Sequence, residues 1–218
     1  MNWRNAFVLA QKESRSEWRQ RSIFGALLLY AVLTVFLIYF SFRHVEPILW
    51  SGLLWLALLF GSVDALSKGF LQEGRDRHFY YYTLIGPIEF LTAKLMYNIL
   101  LMVVLGFFTL LLFILFLGFP VVDIGAFVCI LFGGMVCFTI LFTFMSVLAA
   151  RSGKSTTLVS ILTLPIAIPL LAIIISATQK TMIAHSFGEY SNDLLFLSAL
   201  NILLLALAVI LFKYTWQD

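Results

Sequence analysis

A run of four residues, Gly153, Lys154, Ser155 and Thr156, imitates the end of a phosphate-binding loop. The complete motif needs a glycine five residues before Gly153, where this chain has Leu148, and a preceding strand, where it has a long apolar segment. A short basic turn between two helices explains the run better. If ATP drives this protein, we therefore expect another chain to bind it.

Asp64 is a carboxylate near the end of an apolar segment, and an acidic residue within a membrane is by default a functional candidate. Lys68 follows four residues later, so the two side chains can meet on one helical face and reach the headgroup region. Two interpretations stay open for Asp64. It either belongs to a transport pathway, or it forms a local ion pair or a contact with the loop that follows.

The remaining candidates for chemistry are scattered. His44 and His185 fall in predicted outer loops, where they could act as ligands, but isolated loop histidines are rarely ligands. Cys129 and Cys137 lie two turns apart on one predicted helix and cannot bridge each other. No C-x-x-C-H sequence, metal cluster or hydrolytic set is recognisable. The sequence predicts no catalytic residue, no metal and no resident cofactor.

Two prolines, Pro165 and Pro169, interrupt a stretch that carries no charge from Ser155 to Gln179. Proline removes a backbone donor and clashes with the preceding turn, so the pair should bend a helix and leave carbonyls for neighbouring helices to satisfy. We therefore predict that this segment packs against protein, and that both prolines shape the conformation of the protein or a pathway through it.

The composition identifies the elements that must position these residues. Hydrophobic residues make up 62% of the 218 residues and charged residues 11%, which indicates an integral membrane protein. The uncharged gaps approach or exceed the ~20 residues that cross a hydrocarbon core. They predict six transmembrane helices, over Ser22–Phe42, Pro47–Val63, Leu95–Val122, Ile124–Ala150, Ser155–Gln179 and Leu194–Phe212.

The basic residues orient these spans. Twelve of the 14 Lys and Arg residues fall in the N-terminus, in the loops after the second and fourth spans and in the tail, whereas Arg43 and Lys180 fall on the opposite side. This positive-inside bias predicts that both termini are cytoplasmic, and it accounts for the net charge of +3 without a nucleic-acid partner.

Residues 1–21 precede the first span and read as an amphipathic helix in the cytoplasmic interface. Its apolar side holds Trp3, Phe7, Ala10, Ser14 and Trp18. The alternative is a basic tail that merely obeys the orientation rule.

The segment 68–94 is the longest polar stretch and lies on the predicted cytoplasmic side. It mixes apolar and charged side chains, which suits a short helix that docks on a partner protein. The candidate docking residues are Phe70, Leu71, Gln72, Glu73, Arg75, Asp76 and Arg77. The alternative is an aromatic belt, supplied by residues 79–82, with solvated charges.

Residues 177–193 form the corresponding segment on the outer side. Apolar residues among polar ones suggest a half-helix that dips into the outer interface, or equally a solvated loop.

Three stretches resemble the family of haem exporter protein B (CcmB), over nearly the whole chain. They are Ile48–Phe60 leading to Phe70 and Glu73, the Gly86-Pro87 break with Lys94 after it, and the order S-I-L-x-L-P-x-x-I-P-L-L from Ser160 to Leu171. The proline stretch is the most specific, because a generic membrane helix has no reason to keep that order.

The resemblance implies an all-α, ABC-2-like permease subunit of the bacterial inner membrane. It also implies a second copy of the chain, a separate CcmA-like ATPase, further CcmC-like and CcmD-like membrane proteins, a CcmE-like haem chaperone, and haem as the substrate. In such permeases the loop after the second span couples the ATPase to the membrane helices, which agrees with the docking interpretation of segment 68–94.

Two other functions stay open at this stage. The first is a permease of the same architecture that exports a lipid, a polysaccharide or a drug. The second is a scaffold subunit that transports nothing.

Overall fold

The computed structural model describes residues 21–42, 44–71, 86–151, 156–183 and 187–217. These residues form six helices and no strand. The helices are α1 (Arg21–Ser41), α2 (Pro47–Leu71), α3 (Pro87–Leu117), α4 (Ile124–Arg151), α5 (Thr156–Ile183) and α6 (Phe187–Gln217). The predicted all-α membrane fold is confirmed.

Hydropathy supports a bundle that crosses a membrane. Among the described residues, α3, α4, α5 and α6 each contain a stretch long and apolar enough to span one. The apolar stretches of α1 and α2 are shorter, Gly25–Ser41 and Pro47–Val63. We call the end where α2 stops and α3 starts the inner end, which is the predicted cytoplasmic end, and the opposite end the outer end.

α4 lies at the centre of the bundle and packs against α2, α3, α5 and α6. α1 packs against α2 and α3 at one side. The core between them is dominated by fully buried aromatic side chains, because large rings fill the gaps between helices with the most apolar surface. Its largest members are Trp50, Trp55, Phe113, Phe127, Phe138 and Phe142.

The outer end of this core is organised around Trp50. Its ring packs edge-on against Phe113, at 5.5 Å between ring centroids, and its indole Nε1 donates a hydrogen bond of 3.2 Å to the carbonyl of Gly118. Gly118 ends α3 with a φ of +81°, a backbone conformation that side chains with a Cβ rarely adopt. The start of α2 is thereby fixed to the end of α3.

The helices are longer than the uncharged gaps in the sequence. α2 continues to Leu71 and α3 starts at Pro87, so both enter the predicted 68–94 loop, and proline suits the first turn of a helix because the donor it lacks would have no partner there. α5 and α6 likewise take most of the predicted 177–193 segment. Polar residues at these helix ends extend both spans, and residues 184–186 of the predicted outer loop or half-helix lie outside the described residues. The predicted interface helix, residues 1–21, lies outside the described residues except for Arg21.

Candidate functional site

The predicted docking segment starts at the last turn of α2. Phe70 and Leu71 belong to that helix. Gln72, Glu73, Arg75, Asp76 and Arg77 lie outside the described residues. The structure therefore gives the end of α2 and the start of α3, between which this segment lies. The contacts of the segment with a partner remain a prediction.

The other polar candidates also stay open. Asp64 lies in α2, and its side chain and that of Lys68 are outside the described part of the structure, so neither interpretation of Asp64 is tested. His44 is exposed at the outer end, and His185 lies outside the described residues. No group of three His, Cys, Asp or Glu side chains that could hold a metal occurs among the described residues.

The two prolines do not face the interior of their own chain. α5 passes through Pro165 and Pro169 without interruption, and both are exposed on the surface of the bundle. The buried side of α5 includes Ala167, Leu170 and Ile174. Each proline lies two residues from Ala167, which is roughly 200° around a helix of 3.6 residues per turn. α5 packs against α2 and α4, as predicted for a span that sits against protein, but the side that carries the two prolines is open in this chain.

An apolar groove runs beside Pro169, between α4, α5 and α6. It encloses a cavity of about 340 Å³ lined by Ile140 and Phe144 of α4, Pro169 and Ile173 of α5 and Leu203 of α6, among other apolar residues. The groove can therefore accept hydrocarbon but offers no side-chain hydrogen bond.

Polar side chains are buried in the inner half of the bundle. Lys94 and Asn98 of α3 are each 1% exposed. The Asn98 Nδ2 donates a 2.7 Å hydrogen bond to the hydroxyl oxygen of Thr143 on α4. Burying an ammonium and a carboxamide in a membrane protein is costly, so polar groups retained at such positions are candidates for function. This polar contact joins α3 to the central helix.

A second polar cluster lies at the outer end of the bundle, around Asp123. The Asp123 carboxylate accepts hydrogen bonds from the Tyr190 hydroxyl and, at 3.1 Å, from the backbone N–H of Ala126 in the first turn of α4. The backbone N–H groups of Val122 and Asp123 both donate to the carbonyl of Thr181 at 3.1 Å. The Tyr190 hydrogen bond, with that of Ala126, holds the pKa of Asp123 below its usual range.

An ion pair strengthens the same end. The Lys180 Nζ lies 2.6 Å from an oxygen of Asp193. Because Lys180 is near the end of α5 and Asp193 is in the second turn of α6, the pair links these helices beside the Asp123–Tyr190 contact. The outer ends of α4, α5 and α6 are thus held by side-chain and backbone contacts.

Trp55 forms a buried polar contact in the interior of the bundle. Its indole Nε1 donates a 2.8 Å hydrogen bond to the hydroxyl of Thr178, inside the bundle. A methyl group at Gly134 of α4 would overlap the Trp55 ring, so glycine is required for this close approach.

A comparison with protein families matches the CcmB protein over residues 4–214, which is nearly the whole chain. The chain belongs to the CcmB family. No curated protein matches it. CcmB-family membership makes the chain a membrane component of haem export for cytochrome c maturation, in agreement with the apolar helical bundle.

Two polar contacts of this CcmB-family chain are not predicted by the sequence. Lys94 precedes the predicted third span, but α3 starts at Pro87 and buries Lys94. Lys94 and Asn98 are four residues apart in an apolar segment, and this spacing indicates that the two polar side chains share one helical face. The contact between Asp123 and Tyr190 could not have been found, because the residues are 67 positions apart.

Proposed function

We propose that this chain is the permease subunit of an ATP-driven, ABC-type complex for haem export, with hydrolysis on a separate CcmA-like ATPase. The observation that carries this proposal is the position of the longest connection between described helices. Residues 72–86 join α2 to α3 at the inner end, where the sequence also concentrates its basic residues. An ATPase that docks on this segment would act on two helices at once.

The packing of α2 and α3 supports such a transmission. Both helices contact α4, and they also contact each other and α1. Because closely packed helices shift as units, a displacement of the segment would move α2 and α3 relative to the centre of the bundle. The docking residues are those of the predicted segment, Phe70 to Arg77.

A second copy of the chain is part of the proposal. Each proline deprives a carbonyl one turn earlier of its helical donor, and lipid tails cannot replace that donor. Because Pro165 and Pro169 are exposed on this chain, a partner helix on that face would exclude lipid from the freed carbonyls and could supply donors. In this arrangement the prolines belong to the moving or pathway-lining part of the dimer.

The setting that follows is the bacterial inner membrane, with both termini cytoplasmic. CcmC-like and CcmD-like membrane proteins and a CcmE-like haem chaperone would complete the system, and haem is the substrate rather than a resident cofactor. Asp64, near the inner end of α2, is a further candidate for the pathway.

A deletion experiment tests the function. A strain without this chain should lose the covalent haem signal of membrane proteins after denaturing electrophoresis, while b-type haem proteins and envelope composition stay near normal. A Walker-site mutation in the partner ATPase should reproduce the loss. Normal covalent haem in the deletion strain would contradict haem export, and a changed envelope would instead favour a lipid or polysaccharide exporter.

A further inference from the structure

The buried polar pair on α3 contains an unsatisfied acceptor. The Asn98 Nδ2 donates to Thr143, but the Asn98 Oδ1 is buried and has no hydrogen-bond partner among the residues that the structure describes. A buried carbonyl without a donor destabilises the conformation in which it occurs. The Asn98 carboxamide is therefore satisfied on one side only.

A strong donor lies one helical turn away. Lys94 precedes Asn98 by four residues, so the two side chains share a face of α3, and both are 1% exposed. The Lys94 ammonium does not donate to the Asn98 Oδ1 in this conformation, and it interacts with another group. A flexible four-carbon stem lets a lysine ammonium change partners without a change in the helix.

We propose that the Asn98 Oδ1 is a second position for the Lys94 ammonium, occupied in another state of the transport cycle. Lys94 and Asn98 are then positioning residues, which act through the helices and do not touch haem. The inference rests on the proposed function, because it requires a cycle driven by an ATPase at the inner end.

The placement of the pair explains how it would respond to the ATPase. Lys94 lies in the second turn of α3, eight residues after the connection 72–86, whereas the Asn98 side chain donates to Thr143 on the central helix. A displacement of the start of α3 would therefore change the surroundings of the ammonium, while the carboxamide stays attached to α4. Each position of the ammonium would favour one arrangement of α3 against α4.

The decisive variant is Asn98→Leu, which removes the second position and the unsatisfied acceptor together with the hydrogen bond to Thr143. Thr143→Val removes the same hydrogen bond but keeps the Asn98 Oδ1. The inference expects Asn98→Leu to lose about fivefold or more of the ATPase stimulation by the assembled complex, and Thr143→Val to lose much less. If Asn98 only joins α3 to α4, the two variants should lose equally, which would overturn the inference. Unchanged stimulation would overturn the inference.

Two further variants sharpen the test. Asn98→Asp places a carboxylate one turn from the ammonium, so it should hold Lys94 in the second position and also reduce the stimulation, even if Asn98→Leu folds poorly. Thr109→Val is the matched control, because Thr109 is another buried polar residue of α3, 2% exposed, and is assigned no role. Thr109→Val should leave the stimulation unchanged, and an equal loss in this control would overturn the inference.

A structure of the complex trapped with a hydrolysis-deficient ATPase would show the position of the Lys94 ammonium directly. The Lys94 Nζ should lie within about 3 Å of the Asn98 Oδ1, which is hydrogen-bond distance. A distance beyond that range in both the trapped and the nucleotide-free complex would overturn the proposal. If the wild-type chain does not associate with the ATPase at all, the proposed function fails, and the inference fails with it. If wild type and Asn98→Leu are equally stimulated, the inference alone fails.

Discussion

The indole Nε1 of Trp55 and the hydroxyl of Thr178 form a 2.8 Å hydrogen bond between α2 and α5, and both side chains are fully buried. The Thr178 hydroxyl in turn donates to the carbonyl of Ile174, one turn earlier on α5, at 2.8 Å. α2 and α5 are therefore joined in the interior by a short chain of polar contacts.

Thr178→Val should lower the free energy of unfolding in detergent by about 1–2 kcal/mol, because it leaves the indole N–H buried without an acceptor. Trp55→Phe combined with Thr178→Val should cost less than the sum of the two single changes, since the second change removes a donor that is already unsatisfied. Ser41→Ala is the control, because the exposed Ser41 hydroxyl donates within its own helix, to Leu37. Additive losses in the double variant would contradict the contact.

The docking segment can be tested by reversing charges. Glu73→Arg with Arg75→Glu should weaken co-purification of the ATPase or uncouple its hydrolysis, while the chain still inserts into the membrane. Lys180→Glu is a control at the outer end, where it breaks the ion pair with Asp193 and should leave ATPase binding unchanged. Unchanged co-purification and stimulation in the double variant would remove the segment from the mechanism.

The prolines should matter for activity more than for stability. Pro165→Ala combined with Pro169→Ala restores two backbone donors on an exposed face, so abundance in the membrane should change little, whereas cytochrome maturation should fall. Ile168→Ala alters the same exposed side of α5 without a backbone change and serves as the control. Maturation at the wild-type rate in the double proline variant would show that the prolines are not needed for function.

The outer contact between Asp123 and Tyr190 predicts an acid-sensitive stability. The pKa of Asp123 is lowered in the folded chain, chiefly by the Tyr190 hydrogen bond. The contact therefore stabilises the folded chain above the usual aspartate pKa, and this stabilisation is lost as the pH falls through the lowered pKa. The difference in thermal midpoint between wild type and Tyr190→Phe should be full at about pH 6 and shrink below about pH 4. A difference that stays constant over this range would contradict the assignment.

Topology can be checked with reporters. A reporter near Gly153 should read cytoplasmic and one near Gly188 should read periplasmic, because the basic residues concentrate on the side of the first. Gly153 follows the end of α4, and Gly188 lies in the first turn of α6. The opposite readings would place the docking segment outside the cytoplasm and reject the coupling hypothesis.

The sequence by itself determined the number and approximate place of the helices. A membrane span is a local property, since each stretch must satisfy its own backbone in lipid, and the rarity of charge marks its ends. The same stretches carried the resemblance to the CcmB family. Helix ends were misplaced where polar residues continue a helix, as at Leu71 and Ile183.

The tertiary structure decided which polar side chains meet and which faces are covered. Uniformly apolar helices carry little information about which side turns inward, so the exposure of Pro165 and Pro169 could not be read from their spacing. Contacts such as Asn98 with Thr143, or Asp123 with Tyr190, join residues 45 and 67 positions apart. They depend on how helices pack around α4, and that packing arises from side-chain shape across the whole bundle rather than from any local pattern.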